Sequence, residues 1–234
     1  RNLSLCLLAL AVTLLCGCER SAPTATVAAD GPIELLQAEG SWVDLSHEYG
    51  ADTLYWPTAE GFSHEVDFAG MTDKGYYYSS FRISSSEHGG THLDAPIHFA
   101  EGRRSADAIP LSQLIGAAAV VDVSAKTAQN PDYQIGIADV QAWEKEHGQL
   151  SDGVILLFNT GWHRRWPQAE AYLGTAERGP DAVAQLHFPG ISPALAAWLV
   201  SERQVAAVGI DTASIDYGQS TLFETHRTLF ERDI

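Results

Sequence analysis

The chain has 234 residues, of which 45% are hydrophobic, so it is long enough for one folded domain with a substantial core. Its formal net charge is -16, with 14 Lys and Arg residues against 30 Asp and Glu residues. Nucleic-acid binding needs clustered cations at the phosphates, so this composition argues against nucleic acid and favours a small-molecule partner.

The first 18 residues have the pattern of a bacterial secretory leader. An apolar run from Leu3 to Leu15 follows a positively charged start and is too short for a stable membrane span. The sequence "LCGC" at 15–18 resembles a lipobox, which predicts lipidation of Cys18, with cleavage and no lipid as the alternative. We therefore expect a signal peptide over 1–18 and a protein of the periplasm or cell envelope, lipid-anchored or secreted. We expect the protein to contact the membrane only through the lipid on Cys18.

Residues 19–40 are rich in small residues, Pro and Gly, which predicts a flexible tether, and the folded domain is expected over 41–234. All three cysteines of the sequence lie in the leader, so the exported domain offers no thiol for a disulfide, catalysis or metal binding. Because the chain opens with Arg1 rather than Met, we expect its native start to lie upstream.

Short apolar and amphipathic segments predict an α/β fold. Apolar runs with β-branched residues predict buried strands within 117–124, 153–161 and 205–212. Helical patterns cover 137–148 and 192–204, and the second opens with Ser192 as N-cap and Pro193 at the first helical position. Segment 76–94 has an aromatic, alternating start, which predicts a strand that leads into a loop where a pocket can form.

That loop, "HGGTHLDAPIHF" at 88–99, concentrates histidines and an aspartate. Gly89, Gly90 and Pro96 disfavour a regular helix, so the chain must turn back on itself here. His92 and Asp94 are two residues apart, and in an extended segment both side chains point to the same side. Two imidazoles and one carboxylate can therefore meet around a single cation.

Three nitrogen and oxygen ligands with open positions suit a catalytic zinc or manganese ion better than a closed structural site. Water bound to such an ion loses a proton near neutral pH and becomes a nucleophile. His98, beyond the Pro96 kink, is then left as a general acid or base. For any single histidine of the loop, the alternative is an ordinary loop or core residue.

The loop resembles the signature H-x-G-T-H-x-D-x-P-x-H-F of the cyclase family of metal-dependent hydrolases, which includes bacterial kynurenine formamidase and isatin hydrolase. Similarity continues in order from Trp42 to Phe230, through "WVDLSHEYGADTLYWP", "VILLFNTGW", "FPGISPALAAWLV", "VAAVGIDTASIDYGQS" and "THRTLF". The resemblance implies a swivelling β/β/α domain with a mixed central β-sheet and flanking helices. It also implies a homodimer or homotetramer.

The resemblance implies a metal site formed by His88, His92 and Asp94, with His98 moving protons. Members with two metals add a histidine matching His226 and a glutamate that would fall beyond Ile234. We therefore expect the chain to be truncated there, with an incomplete second metal site as the alternative. Isatin hydrolase-like members imply instead that Gln219 completes a single manganese site. A loop amide and a helix-face histidine are the alternatives for these two residues.

Two aromatic residues are candidates for substrate binding. Trp56 in "YWPT" is expected to stack on an aromatic substrate, and Phe62 in "YWPTAEGF" favours the isatin hydrolase-like side. Thr58 and Ala59 stand where formamidases show Gly-Asp, which weakens the match to kynurenine formamidase proper. Plain core aromatics are the alternative.

Asp211 and Asp216 follow a predicted buried strand, where an aspartate either orients a ligand histidine or caps the next turn. Together these features predict a hydrolase that cleaves the C–N amide bond of a cyclic amide or an N-formyl aromatic amine, using hydroxide bound to Mn²⁺ or Zn²⁺. The alternative is a non-catalytic metal- or ligand-binding lipoprotein on the same fold. His98 favours the enzyme, since a pure metal binder has no need of a fourth group beside an open site.

Overall fold

The computed structural model describes residue 40 and residues 42–234. The predicted leader with Cys18, and the tether up to residue 39, lie outside the described residues. The strands are β1 Ser63–Met71, β2 Tyr77–Ser84, β3 Ala118–Asp122, β4 Gln134–Ile135, β5 Ile155–Asn159, β6 Gly190–Ile191 and β7 Ala207–Ile210. The α-helices are α1 Leu111–Leu114, α2 Ser124–Thr127, α3 Ile137–His147, α4 Ala169–Leu173, α5 Pro193–Glu202 and α6 Glu224–Phe230. Short 3-10 helices cover Pro96–His98, Ala106–Ala108, Trp162–Arg165 and Pro180–Gln185.

A parallel three-stranded sheet, in the order β3-β5-β7, forms the centre of the domain. Leu156 and Phe158 of β5 are buried in a core that also takes in Val140 of α3 and Leu195 and Leu199 of α5. Burying these side chains removes apolar surface from water, which is the main stabilising contribution to such a core. The sheet and these two helices are therefore held together by one continuous apolar cluster.

Two further sheets are smaller. Strands β1 and β2 form an antiparallel hairpin with a bulge between Val66 and Phe68, and β4 and β6 pair in parallel. The predicted α/β fold with flanking helices is confirmed. Parallel and antiparallel strands do not share one sheet. The three-stranded sheet is wholly parallel, and the antiparallel pair β1-β2 forms a separate sheet.

The predicted core elements are confirmed. Strands β3, β5 and β7 lie inside the three predicted apolar runs, and α3 and α5 match the two helical patterns. The Ser192 hydroxyl accepts a hydrogen bond from the Leu195 amide at 3.2 Å, and so caps α5 as predicted. Of the described helices, none combines the length and the apolar character needed to span a bilayer.

The carboxyl ends of the parallel strands position the loops that follow them. Thr160, just after β5, donates both its amide at 2.7 Å and its hydroxyl at 2.6 Å to one oxygen of Asp211, just after β7. Loops at the carboxyl edge of a parallel sheet are the usual place for a ligand site. Residues 212–214, next along the chain, line a cavity of about 260 Å³.

Candidate active site

The His-rich loop runs from the end of β2 to the 3-10 helix Pro96–His98, and its two glycines are required by close contacts. Gly89 pairs with Tyr55 in an isolated antiparallel bridge, and a Cβ atom at Gly89 would lie 2.1 Å from the Tyr55 ring. Gly90 has φ +60, a left-handed conformation that glycine adopts without strain. The tight turn they form brings the two flanking histidines towards each other.

Three side chains of this loop converge. One ligand atom each from His88, His92 and Asp94 lies within 4.8 Å of the others. Asp94 Oδ1 is 2.6 Å from His88 Nδ1 and 3.2 Å from His92 Nε2. The structure thus brings together the three residues predicted to hold a metal.

His226 of α6 reaches the same carboxylate from a distant part of the chain. Its Nε2 lies 3.6 Å from Asp94 Oδ2, and its Nδ1 lies 2.6 Å from Asp216 Oδ2. Asp216 is buried, and it also accepts hydrogen bonds from the backbone amides of Thr225 and His226. Asp216 therefore orients the imidazole of His226 towards Asp94.

The donor set fits a divalent cation. His92 Nδ1 lies 2.9 Å from the Gly90 carbonyl, which can only accept, so this nitrogen carries a ring proton. The Nε2 atoms of His92 and His226 lie 3.2 and 3.6 Å from Asp94; they donate to its carboxylate when the rings are protonated, and they offer lone pairs to a cation when the rings are neutral. Lone pairs that converge on a carboxylate are stabilised by a cation between them, and histidine ligands of metals are commonly oriented in this way.

The charge state of Asp94 also suits a cation. Burial raises the pKa of its carboxyl, but hydrogen bonds from His226, His92 and His88 outweigh burial and hold that pKa well below its ordinary value. The pKa of His92 is raised, mainly by its hydrogen bond to Asp94. Asp94 is therefore an anion at neutral pH.

His98 lies beside the cluster. Its ring stacks on the ring of His88 at a centroid distance of 3.7 Å and lies 6.1 Å from the ring of His226. Burial, followed by the nearby imidazole of His88, lowers the pKa of His98. His98 is thus neutral at pH 7 and available to accept a proton at the cavity wall.

The cluster opens on a cavity of about 260 Å³ with an aromatic wall. The wall's aromatic residues are Tyr55, Trp56, Phe99, Trp166, Tyr172 and Phe223. The ring of Phe223 lies 5.1 Å from that of Phe99 and 6.1 Å from that of Trp56. A flat apolar ligand placed here would contact aromatic faces on one side and the charged cluster on the other.

Two predicted site residues lie elsewhere. Phe62 does not line the cavity, because it sits just before β1, where its ring packs 6.3 Å from that of Tyr49 and 6.4 Å from that of His64. Gln219 does not reach the cluster either, since its exposed side-chain amide donates to the Leu186 carbonyl. Trp56 and His226, in contrast, both line the cavity.

Most of the cavity wall was missed by sequence reasoning. Trp166, Tyr172 and Phe223 come from separate loops and helix ends, and no spacing along the chain links them to the His-rich loop. The two aspartates of "GIDTASID" have different partners, because Asp216 binds His226 whereas Asp211 binds His163 and Thr160. Of these two aspartates, Asp216 is therefore the one that orients a histidine beside the cluster.

The fold and the site define an α/β protein with a metal-type His-His-Asp cluster at the wall of an aromatic cavity. Residues 43–217 match the family model Cyclase, described as "Putative cyclase". The chain therefore belongs to the cyclase family.

Curated relatives include an isatin hydrolase of Roseibium aggregatum, 32% identical over 138 residues, which are 57% of this chain and 50% of the relative. The match thus spans half the length of that protein. A kynurenine formamidase of Bacillus cereus is 28% identical over 198 residues, covering 82% of this chain and 78% of the relative.

Solved structures include isatin hydrolase A from Labrenzia aggregata bound to benzyl benzoate, with a TM-score of 0.71 and 29% identity. That match covers 82% of this chain and 77% of the other. Isatin hydrolase A from Ralstonia solanacearum has a TM-score of 0.69 and 30% identity, with coverage of 82% and 75%. These matches agree with the mixed parallel and antiparallel α/β architecture described above.

Proposed function

We propose that the chain is a metal-dependent hydrolase that cleaves the C–N amide bond of a cyclic amide or an N-formyl aromatic amine. The observation that carries this proposal is the convergence of His88, His92 and Asp94 at the wall of a cavity lined with aromatic rings. The proposal is further supported by relatives named isatin hydrolase and kynurenine formamidase.

The ion of this proposal is Mn²⁺ or Zn²⁺, both of which accept imidazole and carboxylate ligands. His88, His92 and Asp94 would hold the ion. His226, whose Nε2 lies 3.6 Å from Asp94 Oδ2, would be a further ligand. When bound, such an ion polarises a carbonyl group and lowers the pKa of water.

The side chains divide the remaining tasks. His98, neutral and stacked on His88, accepts a proton from the attacking water and returns it to the nitrogen that leaves. Trp56 and Phe223 fix the plane of an aromatic substrate, so that its carbonyl faces the cluster. The ring of Phe99 lies 5.1 Å from that of Phe223 and 4.8 Å from that of His226, and so connects the aromatic wall to the cluster.

To test the proposal, wild type and His98→Ala are each loaded with Mn²⁺ or Zn²⁺. Their hydrolysis of isatin and of N-formylkynurenine is then compared. We expect wild type to hydrolyse at least one substrate and His98→Ala to lose about 10²–10⁴-fold in kcat with its metal content unchanged. An exposed histidine bonded to Asp132 offers the control, His187→Ala, which should keep full activity. Metal bound by wild type and His98→Ala alike, with neither substrate cleaved, would instead identify a binding lipoprotein.

We also propose that the chain is exported and lipid-anchored through Cys18, on the support of the lipobox-like sequence at 15–18. Metabolic labelling with a fatty acid should mark wild type and not Cys18→Ala. Equal labelling of the two proteins would refute the anchor.

A further inference from the structure

Residues 42–49 run along the outside of the domain and are exposed except at one side chain. Trp42, Val43 and Leu45 are between 71% and 82% exposed, whereas His47 is partly buried. A segment that buries so little apolar surface gains little from the hydrophobic effect, so it must be held in place by specific contacts. Those contacts are made by His47 and Tyr49.

Two of the contacts tie this segment to the His-rich loop. The backbone amide of His47 donates to the Thr91 hydroxyl at 2.9 Å. The Tyr49 hydroxyl donates to the Gly89 carbonyl, and a Cβ atom at Gly90 would lie 2.9 Å from the Tyr49 ring. These three loop residues form the turn between the first two histidines of the loop. The segment is therefore fixed relative to the metal cluster.

The third contact reaches the aromatic wall of the cavity. The imidazole of His47 stacks on the indole of Trp166, with a centroid distance of 4.6 Å and an interplanar angle of 11°. Trp166 lines the cavity, and its ring also meets that of Tyr172 in a T-shaped contact at 5.4 Å. His47 thus contacts the His-rich loop through its backbone and the cavity wall through its ring.

The charge state of His47 suits this stacking. Burial, followed by the nearby imidazole of His163, lowers the pKa of His47. The ring is therefore neutral at pH 7 and contacts Trp166 as an uncharged aromatic surface. Stacked aromatic pairs stabilise each other beyond the area that they bury. A phenyl ring at position 47 can therefore make the same contact.

We propose that His47 is a positioning residue for the aromatic wall, whose ring holds the Trp166 indole at a fixed place relative to the metal cluster. A wall that is ordered before binding spares the ligand the entropy of ordering it. His47 acts through Trp166, since His47 itself does not line the cavity. The inference rests on the proposed function, because it takes the cavity to be the binding site of a flat aromatic molecule.

Indole is the probe for this inference, because it is flat and aromatic and has no amide bond to hydrolyse. Its dissociation constant is measured by titration calorimetry on the metal-loaded full chain. We expect His47→Ala to raise this constant about three- to tenfold, because the stacking contact is lost. His47→Phe keeps the contact and should bind indole as wild type does.

The chain offers a matched control at a second histidine stacked on a tryptophan. His147 stacks on Trp143 of α3 with the same centroid distance of 4.6 Å and an interplanar angle of 13°, and neither residue lines the cavity. His147→Ala should therefore leave indole binding unchanged. The melting temperature and metal content of His47→Ala should match those of His147→Ala, which separates lost positioning from lost folding.

A thermodynamic cycle shows whether His47 acts through Trp166. Trp166→Ala alone should weaken indole binding, and adding His47→Ala to that variant should have no further effect. Additive losses would show that His47 acts by another route, and they would overturn the inference.

Three further outcomes would also overturn it. These are unchanged binding of indole by His47→Ala, an equal loss in His47→Phe, and no binding by wild type. The proposed hydrolase fails in a different way, when isatin and N-formylkynurenine stay uncleaved while the dissociation constants for indole follow the expected pattern. Where a substrate is cleaved, His47→Ala should raise KM by the same factor and leave kcat unchanged.

Discussion

Asp216 acts on the candidate metal site through another residue. It is buried, accepts three hydrogen bonds from His226 and Thr225, and leaves the Nε2 of His226 facing Asp94. A carboxylate in this position fixes the tautomer of a ligand histidine and raises its basicity. The position of His226 at the cluster is therefore set by a residue ten positions before it.

Replacing this carboxylate should weaken metal binding. Asp216→Asn puts an amide donor or a weaker acceptor beside the Nδ1 proton of His226, and we expect the metal dissociation constant to rise about 10–100-fold by titration calorimetry. Asp211→Asn is the matched control, because Asp211 belongs to the same motif but bonds His163 and Thr160. Equal losses in the two variants would exclude a specific role for Asp216.

Phe223 combines a strained backbone with a place in the cavity wall. It has φ 48 and ψ 44, a left-handed conformation that costs a bulky residue of the order of 1–2 kcal/mol. In this conformation the ring of Phe223 packs near those of Trp56 and Phe99. Phe223 is also the N-cap of α6, the helix that carries His226. Such strain concentrates at functional sites, which supports a direct role in binding an aromatic substrate.

Removing the aromatic ring should affect binding more than chemistry. Phe223→Leu keeps an apolar side chain and the same backbone strain, and we expect KM for an aromatic amide to rise about tenfold with kcat nearly unchanged. The control is Phe62→Leu, since Phe62 packs on Tyr49 outside the cavity. A fall in kcat with KM unchanged would place Phe223 in catalysis instead.

The spacing of residues within one loop predicted the His-His-Asp cluster. His88, His92 and Asp94 converge as expected because Gly89 and Gly90 allow the turn that their spacing requires. The residues that surround them could not be predicted in this way. Trp166 and Phe223 both reach the cavity wall only after the loops beyond the sheet have packed, and the sequence carries no signal for such packing.

At the scale of elements, one ion pair joins the two helices that flank the sheet. Glu144 of α3 receives two hydrogen bonds from Arg203, which ends α5, at 2.7 and 2.8 Å, and both side chains are at most 15% exposed. The hydrogen bonds from Arg203 lower the pKa of Glu144. The charged carboxylate therefore stabilises the folded state, and this contribution is present above the pKa of the unfolded chain.

Removing this charge should change both stability and its dependence on pH. Glu144→Gln should lower the free energy of unfolding at pH 7 by about 1–2 kcal/mol in urea titrations, because a bidentate charged contact is lost. Wild type should lose this advantage as the pH falls through the depressed pKa of Glu144, so the two proteins should converge in acid. Glu146→Gln, an exposed change on the same helix, should match wild type at every pH.

The strands and helices that were predicted from the sequence are those whose apolar side chains are buried in the core. Strands β3, β5 and β7 and helices α3 and α5 meet in one core, so their patterns of hydrophobic residues are strong. Strand β1 was missed because it lies on an exposed hairpin, where no core imposes alternation. Strands β4 and β6 have two residues each, too few to show any periodicity.

At the scale of the whole molecule, the cluster links segments that are far apart in the sequence. Loop residues 88–94 and His226 meet at Asp94, so an ion bound there would tie α6 to the His-rich loop. A ligand that binds only the folded state stabilises it in proportion to the logarithm of its excess over the dissociation constant.

Metal removal should therefore lower the melting temperature. At a hundredfold excess over the dissociation constant the ion adds about 2.7 kcal/mol, which corresponds to roughly 5–10 °C for a chain of this size. Differential scanning calorimetry with and without a chelator measures this shift. The His92→Ala variant should show no shift, whereas an equal shift in that variant would place the ion elsewhere.

Helix α6 makes the completeness of the site depend on local opening of the fold. Its residues Leu229 and Phe230 pack with Ala196 of α5, and they hold His226 at 4% exposure. Part of a fold can open locally while its core strands stay closed, and each opening of α6 would carry His226 away from Asp94 while the parallel sheet stays intact. The fraction of molecules with a complete site at any moment is then set by the docking equilibrium of seven residues, which amide hydrogen exchange along α6 reports directly.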